Sequence, residues 1–62
     1  WGNPKDEANA LYQLGTVYEA QGHYAQALDW YQKALAIREK LGNPKDIAAT
    51  RERIAAVEVK LN

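Results

Sequence analysis

The stretch LYQLGTVYEAQGHYAQALDWYQKAL, residues 11–35, decides the fold of this 62-residue chain. Its first part sets Leu11, Leu14, Val17 and Tyr18 at spacings of three and four, with Ala10 just upstream, which is the recurrence of one helix face. At QGH the pattern stops, and Gly22 is free to adopt a positive φ and close a helix. Tyr24, Ala27, Leu28, Tyr31, Ala34 and Leu35 then resume the same period. A turn this short predicts an antiparallel hairpin. Small residues, Ala8 and Gly15 against Ala27 and Ala34, would let the helices approach, with Leu11, Leu14, Tyr18, Leu28 and Tyr31 filling the seam. A larger side chain at Gly15 or Ala27 would overpack that crossing.

On both sides of this stretch stands the pentapeptide GNPKD, at residues 2–6 and 42–46. Asparagine is suited to N-cap and proline to the first helical position, where its missing N–H costs nothing. Asp6 and Asp46 follow in the first turn, where a negative charge favours the helix dipole. Gly2 and Gly42 can end what precedes. The punctuation predicts helices over Pro4–Ala20, Tyr24–Leu41 and Pro44–Leu61. No segment alternates with period two for long enough to suggest a strand, so the chain reads as all-α.

The offset between the two pentapeptides is an internal repeat. Ala8, Leu14 and Val17 fall on Ala48, Ile54 and Val57, whereas Leu11, Tyr12 and Tyr18 fall on Arg51, Glu52 and Glu58. One complete unit, residues 4–41, is therefore followed by the opening of a more polar second unit, residues 44–61. Charge in place of core is what a terminal capping helix needs. Ile47, Ile54, Val57 and Leu61 would cover the back of the hairpin, matched by Trp30, Ile37 and Leu41.

Bulk properties narrow the function classes. Eight basic and eight acidic residues cancel, and they are interspersed. No basic stripe of the kind that nucleic-acid modules use is present, so no nucleic-acid partner is expected. The longest uncharged run, residues 8–18, is too short and too amphipathic for a membrane span. The absence of cysteine leaves neither a disulfide nor a thiolate metal site, and suits a reducing, cytoplasmic compartment. The chain begins with Trp1 rather than methionine, so targeting sequences can lie outside it. Catalysis is not expected. The chain has no serine and one imidazole, His23, which reads as a solvated turn residue. Neither a converging ligand set nor a phosphate-cradling glycine loop suggests a metal or cofactor.

Residues 11–35 resemble a tetratricopeptide repeat. The family pattern W-x2-L-G-x2-Y followed by A-x3-F is met by Leu14-Gly15-x2-Tyr18 and Ala27-x3-Tyr31, with Leu11 in the tryptophan place and Tyr31 in the phenylalanine place. Ala8, Gly22, Tyr24 and Ala34 also fall where the family has small, turn-forming or aromatic residues. The unit is longer than the usual repeat, and the closing proline's place is taken by Glu39. In length it is similar to the repeats of kinesin light chains and of many bacterial regulatory arrays. The resemblance implies an α-solenoid fragment, a helix–turn–helix hairpin with a C-terminal capping helix, acting as a protein-interaction module.

It further implies a concave face, lined by first helices, that holds a peptide. Carried over by position, that face is Asn9, Tyr12, Gln13, Thr16 and Glu19, continued by Glu52, Arg53 and Ala56. Amides can pair with a peptide backbone, and a tyrosine offers an apolar plane with a polar tip. The lysine–asparagine clamp by which some members grip a terminal carboxylate is absent, its places being Tyr12 and Thr16, although Arg53 could meet an acidic group. The alternative is self-association into a homodimer or larger assembly. Trp30, Ile37 and Val59 are hard to bury together in three helices, and Trp1 has no obvious pocket.

Overall fold

A computed structural model describes residues 3–61, and the expectations for Trp1 and Gly2 lie outside them. The described residues form three helices, α1 (Pro4–Ala20), α2 (Tyr24–Leu41) and α3 (Pro44–Leu61). Both asparagines cap as their side chains dictate. Asn3 Oδ1 accepts from the Lys5 N–H at 2.9 Å, and Asn43 Oδ1 from the Lys45 N–H at 3.1 Å. Gly22 and Gly42 take φ of +84° and +75°, the left-handed conformation that stops a helix.

Side-chain pairings fix the directions. Tyr31 reaches Glu19 while Arg38 reaches Asn9, so α2 climbs as α1 descends. Val57 packs in a cluster with Ala27 and Tyr31 while Arg38 reaches Thr50, so α3 is antiparallel to α2 and parallel to α1. One stripe of α2, made of Ala27, Tyr31, Ala34 and Arg38, is buried throughout. Around it pack Tyr12, Tyr18, Tyr24, Leu28 and Ile54, all half-buried. The crossing of α1 and α2 is close at Gly15, which is buried and faces the Tyr31 ring.

Several sequence expectations need correction. Leu14 does not fill the hairpin seam but remains 40% exposed, and Val17 and Ala10 of the expected apolar stripe are exposed with it. The reason is that α1 has two apolar faces. Ala8, Leu11, Gly15 and Tyr18 are covered or partly covered, and the stripe Ala10–Leu14–Val17 points away. Nor does α3 pack where Trp30 and Leu41 had been expected to receive it. Trp30 stacks on Tyr18 of α1, ring centroids 6.3 Å apart, and Lys33 lies 4.7 Å from its ring. Leu41 and Leu61 stay exposed. The core that α3 does meet is polar in part. Arg38, 7% exposed, donates through Nη1 to Thr50 Oγ1 (2.7 Å) and through Nη2 to Asn9 Oδ1 (2.9 Å), with its guanidinium over the Tyr12 ring at 4.8 Å.

Candidate partner-binding face

Parallel α1 and α3 form the two sides of a shallow groove floored by α2. On α1, Tyr12, Thr16 and Glu19 recur at spacings of four and three, so they share one face. On α3, Glu52, Arg53, Ala56 and Lys60 do the same. Arg53 spans the gap. Its Nε donates to the Tyr12 hydroxyl at 3.4 Å, and its Nη1 lies 3.8 Å from Glu19 Oε2. Lys60 Nζ lies 3.8 Å from that same oxygen and 5.2 Å from the Tyr24 ring centroid.

Glu19 is the hub. Its side chain is only 12% exposed, and its Oε1 accepts the Tyr31 hydroxyl at 2.7 Å. Burial first, then the hydrogen bond to Glu19 and the charge of that carboxylate, raise the Tyr31 phenol well above its ordinary value. Both cations stand farther from Glu19 than the 2.7–2.9 Å of a charge-assisted hydrogen bond. Their donors are therefore not committed to it.

Two hollows open on either side of Arg53. One, about 430 Å³, is lined by Thr16, Glu19, Ala20, Tyr24, Arg53 and Lys60. The other, about 390 Å³, is lined by Tyr12, Ala49, Glu52, Arg53 and Ala56. Of the residues singled out from sequence, the fold brings Tyr12, Thr16, Glu19, Glu52, Arg53 and Ala56 together here. Asn9 is set apart because its amide oxygen is held by Arg38. Gln13 is exposed and lines neither hollow, and its carbonyl accepts the Thr16 hydroxyl at 2.7 Å. Lys60 and Tyr24 were missed. Lys60 could have been found as the residue two turns beyond Arg53 on the same helix face.

Trp30 and Ile37 are half-buried, whereas Val59 is 72% exposed. Among the described residues no helix is long and apolar enough to cross a membrane.

No curated protein and no solved structure matches the chain. A family model described as Tetratricopeptide repeat matches residues 3–62, the hairpin and the third helix together. The chain thus belongs to the tetratricopeptide repeat family, whose repeats typically mediate protein–protein interaction.

Proposed function

We propose that the α1–α3 groove binds a peptide segment of a partner protein. The observation that carries this reading is the pair of hollows meeting at Arg53, whose donors are only loosely engaged by Tyr12 and Glu19. In this reading Tyr12 supplies an aromatic plane, Thr16 and Glu52 polar contacts, and Arg53 with Lys60 the cationic grip. Glu19 positions both cations rather than meeting the ligand, because its side chain is largely covered. α3 serves as the closing helix of the hairpin. Arg51 and Glu58, in the places of Leu11 and Tyr18, are exposed, and Arg51 pairs in water with Glu39 at 2.9 Å. The absence of cysteine suits work in a reducing, cytoplasmic setting.

The test is a titration of the isotope-labelled chain with a varied peptide library. Shifts concentrated at Tyr12, Thr16, Arg53 and Lys60, and weakened by Arg53→Ala, are expected. Shifts spread evenly over the molecule, or none with any peptide, would sink the reading.

Self-association is a second reading, favoured by Val59, the most exposed large apolar side chain of the described residues. It requires a mass that rises with concentration in sedimentation equilibrium and falls back in Val59→Lys. A constant mass removes it.

A further inference from the structure

Three charges of the groove are not required by the repeat. The register that lays the second unit on the first puts Gln13 in the place of Arg53, Ala20 in that of Lys60 and Val59 in that of Glu19. An amide and two apolar groups thus stand at the equivalent points, and the hairpin needs neither the cations nor the carboxylate. The three charges nonetheless converge, Arg53 Nη1 and Lys60 Nζ each lying 3.8 Å from Glu19 Oε2.

Their accessibilities differ. The side chains of Arg53 and Lys60 are 50% and 49% exposed, and that of Glu19 is 12% exposed. The other oxygen of Glu19 is held by the Tyr31 hydroxyl at 2.7 Å, so the carboxylate is anchored beneath the cations. An anion entering the hollow beside Thr16 and Tyr24 meets two cations, and one covered carboxylate halves their net charge. Attraction to this point grows in proportion to the anion's charge, whereas the cost of stripping its water grows with the square. A modest positive potential therefore favours a monoanion, and a strong one a dianion.

We infer that Glu19 sets the charge of the group this groove accepts: one carboxylate, on an aspartate or glutamate side chain of the peptide, in preference to a phosphorylated side chain. The inference rests on the groove being a peptide seat. A side chain is the source because the two hollows meet at Arg53, so a peptide filling both passes Arg53 in mid-course. Glu19 does not touch the ligand. It positions the cations and determines specificity through its charge.

The probe is a heptapeptide of alanine and leucine with blocked ends and a central glutamate, glutamine or phosphoserine, the only charge it carries. It is titrated into the isotope-labelled chain at about pH 8, where the phosphate is a full dianion. The glutamate peptide should bind about fivefold more tightly than the glutamine one, a modest factor because both cations are half in water. It should also bind more tightly than the phosphoserine peptide, with shifts at Arg53 and Lys60. Glu19→Gln keeps an acceptor for the Tyr31 hydroxyl and removes the charge. It should move the ratio of those two affinities towards phosphoserine by about fivefold, the effect of one unit charge about 4 Å away in a watery site. Lys60→Gln, on an exposed side chain that the fold does not need, should move the same ratio the other way. A ratio unmoved by both variants, or phosphoserine preferred by the unaltered chain, would overturn the selection. A glutamine peptide with a free terminal carboxylate that outbinds the blocked glutamate peptide would overturn the side-chain assignment. Equal groove shifts with glutamate and glutamine would sink this inference and leave the peptide seat standing, whereas no groove shifts with any probe would count against both.

Discussion

A single hydrogen is all the side chain that position 15 admits. A Cβ there would lie 2.6 Å from two ring carbons of Tyr31. The ring cannot swing aside easily, because its hydroxyl is tied to Glu19 and its face tilts against Tyr12 at 5.3 Å. Gly15→Ala should therefore destabilise the chain by about 1–3 kcal/mol, as overpacking does elsewhere, measured by urea denaturation. Tyr31 also carries a pH dependence. The folded state holds its proton more tightly than the unfolded chain, where the phenol titrates near 10.0. Its contribution is intact below that pH and is lost as the pH climbs through the raised value. The stability of Tyr31→Phe should accordingly fall less steeply above pH 10 than that of the unaltered chain. The other tyrosines and the lysines act on both proteins alike, so identical slopes would refute the assignment.

Between elements, the Arg38–Thr50 bond joins α2 to α3 at the end away from Val57. Thr50→Val should cost about 1–3 kcal/mol by stranding a buried donor. Adding Arg38→Leu should recover much of that loss, since an apolar pair replaces a polar one whole. A double-mutant cycle with no coupling would show the bond to be unimportant. This pair also marks the boundary of what the sequence discloses. Helix starts and stops are local, written in Asn-Pro and Gly, and could be read directly. Which face of α1 meets α2 could not, because Leu11 and Leu14 are equally apolar and helical periodicity fits either face. Arg38, in the last turn of α2, reads as an ordinary partner of the helix dipole. Its burial depends on Thr50, twelve residues onward, and on Asn9, twenty-nine residues back. In the groove, Tyr12, Thr16 and Glu19 could be placed through the resemblance to the repeat family, and Arg53 through the register that continues their face onto α3. Lys60 escaped because that register sets it opposite apolar Ala20.

As a whole the described residues form a thin slab, 34 × 22 × 12 Å along their principal axes. α3 packs chiefly on α2 and reaches α1 through the side chains of Arg53 and Lys60. Amide hydrogens around Val57 should therefore exchange faster than those around Gly15 and Ala27, which belong to the tighter hairpin. Uniform protection would mean that the three helices open only together. The thinness itself has a thermal consequence. Heat capacity of unfolding follows newly wetted apolar area, about 0.8 kcal/mol/K for a compact chain of this length. A slab that leaves Leu14, Val17, Leu41, Val59 and Leu61 already wet has less to expose. Its calorimetric baseline step should fall below that value, giving a shallow stability curve, a broad melt and little weakening on cooling.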